Sequence, residues 1–331
     1  MKQTNISIFI PHIGCPHKCS FCDQKSISGE QKAPRGEDVT ALLDEQAEHL
    51  RNRAMKAEIA FFGGSFTAIP TTYMEELLTV ANAAMKRYPD VYTGIRCSTR
   101  PDRISEEILQ FLKGYGMTAI ELGAQSMSDE VLTLNRRGHT AEDVCTAAEL
   151  IKSSGIELGL QMMTGLYGDS EQAVIATMEQ FIALKPATVR IYPTVILDGT
   201  HLGELFKSGE YRTFSFEQTV TLCARLLREF TAAGIAVIRM GLHASEDVEH
   251  AMLGGVYHPA FREICESRIF LEDMKKALSD MDKGDYIVYT DAKNISRATG
   301  QKRCNIAELS ALGYNVSVKP CTGEYIRLCA K

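Results

Sequence analysis

The sequence predicts an α/β fold: an open, partial (β/α)6 barrel with helices outside it, followed by a small C-terminal α+β module. Three observations predict it. Short apolar runs rich in β-branched residues alternate with longer stretches of helical period. The joints between them are short, and Gly, Pro or Ser stands at many of them. Near Gly255 the alternation stops and gives way to one long helical stretch and a few short strand-like runs. Repeated strand–helix units form a parallel sheet covered by helices. Six units are too few for a closed eight-stranded barrel, so an open one is expected.

Taken in order, ISIFI (Ile6 to Ile10) is the first strand, and a charged helix from about Glu37 to Arg53 follows it. EIAFF (Glu58 to Phe62) is the second, ending in the turn Gly63-Gly64, with a helix after Pro70. TGIRC (Thr93 to Cys97) leads to a helix from Ser105, and TAIEL (Thr118 to Leu122) to helical segments at Ser128 to Arg136 and Ala141 to Ser153. IELGLQMM (Ile156 to Met163) precedes a helix from Ser170, and ATVRIY (Ala187 to Tyr192) one from Glu217. AVIRM (Ala236 to Met240) reads as a seventh strand. The barrel is expected over residues 1–255 and the module over 256–331. In that module His258 to Ala277 reads as a helix, with DYIVYT, NVSVKP and EYIRLC as strands. Reactive residues of such sheets gather at the carboxyl ends of the strands.

The 331 residues are 45% hydrophobic and 24% charged, an ordinary globular composition with ample length for a core. A net charge of −6 argues against a broad nucleic-acid-binding surface. No apolar run reaches the roughly 20 residues that span a bilayer, so no membrane role is expected. The start, MKQTNISIFIPHIG, lacks the long apolar core of a signal peptide. A cytoplasmic location follows, where ten cysteines are thiols or metal ligands rather than disulfides.

Three of those cysteines, Cys15, Cys19 and Cys22, form a C-x3-C-x2-C cluster directly after the first strand. Thiolates are soft donors that suit zinc or an iron–sulfur cluster. Three on one tight loop can each take one iron of a [4Fe–4S] cube and leave the fourth iron open, as catalytic metal sites keep an open position. The alternative is structural zinc with His12 or His17 as fourth ligand. Zinc ribbons usually pair their ligands as two separated couples, and no second couple lies nearby. Cys265, Cys304, Cys321 and Cys329 are spaced irregularly, which favours scattered core thiols over a second cluster.

Other strand ends carry polar residues. Glu121-Leu-Gly-Ala-Gln125-Ser126 sits at the fourth strand's end, with Gln125 and Ser126 just past the strand and placed to contact a ligand. Gln161 lies on the fifth, beside Met162 and Met163, which read as core. Arg190 lies on the sixth; a buried arginine needs a partner, either an anionic ligand group or a salt bridge to Glu121. Arg100, before Pro101, is either a ligand contact or a solvated surface residue. Tyr192, His243 and Glu246 are the candidates for catalytic proton carriers or substrate contacts, and His258 stands with them; polar loop residues are the plain reading of the histidines and Glu246.

The cysteine motif, with aromatic Phe21 before the last cysteine, resembles the signature of the radical S-adenosylmethionine superfamily. That resemblance implies a [4Fe–4S] cluster on Cys15, Cys19 and Cys22, with S-adenosylmethionine chelating the open iron. It further implies reductive cleavage to a 5′-deoxyadenosyl radical that abstracts hydrogen, with the protein orienting the cofactors. Phe62-Gly63-Gly64-Ser65 is similar to the family's Gly-Gly-Glu segment, whose backbone binds the methionine amino group; Ser65 stands where glutamate is common. By the same resemblance Gln161 reaches the ribose hydroxyls and Arg190 the methionine carboxylate. ELGAQS and the run from Arg190 through IYPTVILDGTHLGELFKSGEYRTFS resemble the radical domain of the Elongator catalytic subunit, which modifies transfer RNA. This implies transfer RNA as a substrate class and a flavodoxin or ferredoxin type of electron donor; a small molecule or peptide remains the other substrate reading. The residues after Gly255 are already occupied by a helix and strands, so that family's acetyltransferase domain is not expected here, nor is a basic extension before the first strand.

Overall fold

A computed structural model describes residues 2–10, 13–15, 18–23, 32–243, 246–323 and 325–330. Seven parallel strands curl into a half-barrel: β1 (Lys2–Ile10), β2 (Met55–Gly63), β3 (Tyr92–Thr99), β4 (Met117–Gln125), β5 (Glu157–Thr164), β6 (Thr188–Pro193) and β8 (Ala236–Met240). They pair in that order, so each helix returns the chain to the next strand on the same side. The seventh strand read in AVIRM is therefore part of the sheet.

Alternation within the strands sorts the residues. Ile8, Ile10, Ile59, Phe61, Ile95, Cys97, Ile120, Leu122, Leu158, Leu160, Val189 and Ile191 are all buried in the main core between sheet and helices. Residues of the other parity line the concave face, and many of them are polar: Glu58, Arg96, Glu121, Gln161 and Arg190. The covering helices are α1 (Gly36–Asn52), α2 (Thr71–Arg87), α3 (Glu106–Gly114), the short α4 (Asp129–Leu134), α5 (Ala141–Ser153) and α6 (Glu171–Leu184). Several begin at a side-chain cap: Ser105, Thr140 and Ser170 accept from the amides of Ile108, Asp143 and Ala173. Each such cap contributes about 1 kcal/mol.

The sequence rhythm misses one insertion. Beyond β6, β7 (Val195–Leu197) pairs antiparallel with β9 (Met252–Gly255), and α7 (His201–Ser208) follows β7. These runs are too short to show a period of their own. Next come α8 (Phe216–Ala232), α9 (Glu246–Ala251) and α10 (Phe261–Leu278). The helix expected from His258 begins at Phe261, past Pro259, and the one expected through Arg136 ends at Leu134, because Arg136 turns to φ +54°.

The final segment is a three-stranded sheet, β11 (Tyr314–Cys321), β10 (Gly284–Asp291) and β12 (Arg327–Ala330), with β10 parallel to β11 and antiparallel to β12. Helix α10 joins it to the barrel. Phe261 and Cys265 lie in the main core, whereas Leu271, Met274 and Leu278 pack with Tyr286, Val288 and Leu309 in a second one. No helix among the described residues is long and apolar enough to cross a membrane.

Candidate functional site

The cysteine loop sits at the carboxyl end of β1 and interlocks with the end of β2. The Gly64 amide donates to Ile10 O at 2.8 Å, and the Ser65 amide to Ile13 O at 3.3 Å. A Cβ on Gly64 would lie 2.0 Å from Ile13 O, and one on Gly14 2.3 Å from Ser65 O. The two chain segments thus approach as closely as backbone permits, and glycine is required on both sides. Ser65 is buried, and its hydroxyl lies 2.9 Å from Thr99 Oγ1 and accepts from the Arg100 amide at 3.2 Å. The serine therefore ties the end of β2 to the end of β3.

Within the loop, Ser20 is the anchor. Its hydroxyl donates to Asn135 Oδ1 at 2.7 Å, its amide to Asn135 O at 3.1 Å, and its carbonyl accepts from the Leu202 amide at 2.7 Å. Asn135 is itself fixed by donating to Val131 O and Tyr167 O. Phe21 packs against the cluster of Ile196, Leu202 and Tyr211 and lies 5.8 Å below the Arg137 guanidinium. The insertion that the sequence rhythm missed thus clamps the loop together with Asn135 at the end of α4.

Arg137 is the residue that the sequence reading passed over. Its Nη1 donates to the Cys19 sulfur at 2.9 Å and its Nη2 to Gly123 O. Burial, then the charge of Cys19, push Cys22 up to about 12; the same two causes raise Cys15, against the pull of Arg100 and Arg137. Cys15 and Cys22, half-buried beside the buried Cys19, resist ionising alone and become thiolates when a cation binds them, which suits a metal cluster. Among the described residues no three His, Cys, Asp or Glu groups are gathered as a single-ion site. His12 and His17, the zinc alternative's fourth ligands, lie outside the described residues.

Around the thiols stand buried polar atoms without protein partners: Arg100 Nη1, Gln125 Oε1, Arg137 Nε and His139 Nδ1. Each costs free energy unless something meets it, so they fit a polar cofactor held beside the cluster. Arg100 is not a surface residue: it is buried, with Nε and Nη2 gripping Asp102 at 2.8 and 3.1 Å. Gln125 adopts φ +71°, uncommon for a side chain of its type, at a register shift in β4. Ser126 is buried and accepts from the Ser128 amide at 3.1 Å. Burial, with Arg137 nearby, pulls His139 down to about 4.

Deeper in the barrel a second network surrounds Glu121, which is 1% exposed. Arg190 donates to it through Nε at 2.5 Å and Nη2 at 2.9 Å, Arg96 through Nη1 at 3.1 Å and Gln161 through Nε2 at 3.0 Å. Of the two partners open to Arg190 on sequence, the structure shows Glu121. Gln161 is likewise engaged by that carboxylate. Tyr192 is hydrogen-bonded to Arg190 on the same strand. His243 and Glu246 are exposed beyond β8, and His258 caps the Ala260 amide at 3.0 Å. Cys97, Cys223 and Cys265 are buried, Cys304 is exposed, and Cys321 and Cys329 are half-buried. A groove of about 580 Å³ runs over the outer helices, lined by Glu171, Thr221, Arg225 and Glu229, and shares no residue with the cysteine site.

Residues 9–181 match the Radical SAM superfamily, and residues 186–270 the Radical SAM C-terminal domain. Elongator complex protein 3 of Homo sapiens is 31% identical over 201 residues, covering 55% of this chain and 37% of that protein. The tRNA uridine(34) acetyltransferase of Methanocaldococcus jannaschii is 30% identical over 253 residues, covering 63% of this chain and 45% of that one. The matched stretches thus span less than half the length of these relatives. The solved structure of the archaeal Methanocaldococcus infernus Elp3 with an N-terminal deletion superposes with a TM-score of 0.63 at 19% identity, covering 86% of this chain and 66% of that one.

Proposed function

This chain belongs to the radical S-adenosylmethionine superfamily, and on that premise we propose that Cys15, Cys19 and Cys22 hold three irons of its cluster and leave the fourth open. The protein is an enzyme, and its cofactors are a [4Fe–4S] cluster and S-adenosylmethionine. Membership sets aside the non-enzymatic zinc scaffold. When bound, the two cofactors supply reductive cleavage of the sulfonium to methionine and a 5′-deoxyadenosyl radical that abstracts hydrogen from a substrate.

The observation that carries this assignment is the hydrogen bond from Arg137 to Cys19 amid buried polar atoms that lack protein partners. Arg137 stabilises the sulfur's negative charge and keeps water from it. Arg100 Nη1 and Arg137 Nε offer donors to a carboxylate, and Gln125 Oε1 offers an acceptor to an ammonium group. Gly63, Gly64 and Ser65 hold the strand end beside the cysteine loop, where we assign the amino-acid end of the cofactor. Phe21 walls the cluster, and Ser126 shapes the loop after Gln125. Arg190 and Gln161 stay as candidates for cofactor contact through the atoms that Glu121 does not engage. Tyr192, His243 and Glu246 stay as candidates on the substrate side.

For substrate we infer a transfer RNA base, supported by the relatives' descriptions and by the 30% identity to a tRNA uridine(34) acetyltransferase. A flavodoxin or ferredoxin type of donor supplies the electron, in the cytoplasm, where all ten free cysteines stay reduced. Two measurements test this. Anaerobic enzyme reduced with dithionite and given S-adenosylmethionine is expected to release 5′-deoxyadenosine; none would overturn the radical reading. Nucleosides from total tRNA of a deletion strain are expected to lack one modification; an unchanged profile would point to a small molecule or peptide substrate.

A further inference from the structure

The cross-strand pair at the open edge of the barrel consists of two arginines. A register irregularity after Val189 brings Arg239, rather than Ile238, opposite Arg190. Like charges directly opposite one another destabilise a sheet. Arg190 is compensated by Glu121, but that carboxylate is fully engaged: one oxygen takes Arg96 and Arg190, the other Arg190 and Gln161. Arg239 donates from Nε to Gly241 O at 2.9 Å, and among the described residues no carboxylate pairs with it. Burial lowers its proton affinity, Tyr192 opposes that, and Arg190 adds to it. His243, four residues on, has its proton affinity lowered by partial burial, then by Arg239 and Arg190.

The polar lining of the barrel is therefore asymmetric. At β2 to β5 Arg96 meets Glu58, Glu121 and Glu157. At β6 and β8 Arg190 has Glu121, and among the described residues no carboxylate pairs with Arg239 or His243. Among the described residues only the Nε of Arg239 is engaged, and a guanidinium with both Nη groups open is the side chain best shaped to take two oxygens of one anion.

We propose that Arg239, flanked by Tyr192 and His243, binds an anionic group of the substrate, a phosphate or a carboxylate, at the β6–β8 edge of the barrel. The assignment rests on the reading that the barrel's concave face receives substrate. It orients that substrate along the sheet, with its anionic end at β8 and its reacting end toward the cysteine loop.

The test titrates the reconstituted enzyme, saturated with S-adenosylmethionine, with three probes: dimethyl phosphate, inorganic phosphate and malonate. Line broadening of the ³¹P or ¹H signal reports binding. Saturable binding is expected for at least one probe, weakened roughly tenfold by Arg239→Gln, as loss of one charge-assisted pair implies, and less so by Arg239→Lys. Arg225→Gln, on an outer helix, is expected to leave it unchanged. Binding of dimethyl phosphate points to a nucleic-acid phosphodiester, and binding of malonate alone to a small carboxylate. Should Arg239→Gln, with unfolding temperature intact, bind every probe as wild type does, or should no probe bind wild type in the millimolar range, the assignment is wrong. Formation of 5′-deoxyadenosine by the same preparation tells that failure apart from failure of the cofactor reading.

Discussion

Arg137 donates a hydrogen bond to the Cys19 sulfur at 2.9 Å, although 118 residues separate them in the chain. A cationic donor on a cluster thiolate favours the more negative, reduced state, and hydrogen bonds to sulfur are one lever on cluster potential. Arg137→Gln is expected to lower the potential of the reconstituted cluster by roughly 60 mV, the equivalent of a tenfold change for one electron. Redox titration followed by electron paramagnetic resonance measures it; an unchanged potential would mean that the contact does not bear on the cluster.

Gly64 tests the interlock between the cysteine loop and β2. Its missing Cβ would stand 2.0 Å from Ile13 O, so Gly64→Ala must displace the loop. Iron per chain after reconstitution is expected to fall at least severalfold while far-ultraviolet circular dichroism stays native. Full iron loading would show that the loop has slack.

Glu121 neutralises two arginines inside the barrel. Removing one partner of a buried pair leaves an uncompensated charge and costs about 3–5 kcal/mol. Glu121→Ala is expected to lose that amount in urea unfolding. The double variant Glu121→Leu, Arg190→Met is expected to recover part of it, because the second charge goes as well. Equal stability of Glu121→Ala and wild type would contradict the network.

His139 gives a pH dependence. Its folded value lies near 4, depressed from 6.5 mainly by burial, so between these values the unfolded chain binds the extra proton. The stability it contributes is fully present above about pH 6.5 and is lost as pH falls toward 4, by roughly 3 kcal/mol in all. His139→Asn is expected to flatten that part of the stability profile; a slope as steep as wild type would place the effect elsewhere.

The barrel was legible because its strands alternate and its helices carry capping residues, and the cysteine motif because its spacing has few other uses. Arg137 and Arg239 were not. Each is an ordinary arginine in sequence, and its meaning comes from a partner brought close by folding: a sulfur for the first, and a register irregularity beside Arg190 for the second. The signal for Arg137 was present in the run Arg136-Arg137-Gly138-His139 just past the short helix that follows β4. The Glu121–Arg190 pair was one of two partners that the sequence allowed, since chemistry names the need for an anion and only geometry chooses which. The clamp on Ser20 joins Asn135, at the end of a helix the sequence announced, to Leu202, in a segment whose apolar runs are too short to announce themselves.

The central claim, three cysteine-bound irons and one left for S-adenosylmethionine, is tested most directly by Mössbauer spectroscopy of ⁵⁷Fe-reconstituted enzyme before and after that compound is added. One quarter of the iron signal is expected to shift while three quarters hold still, and Cys19→Ala protein is expected to lack the signal. Four irons indifferent to the addition, or protein that takes up stoichiometric zinc and no iron, would contradict it.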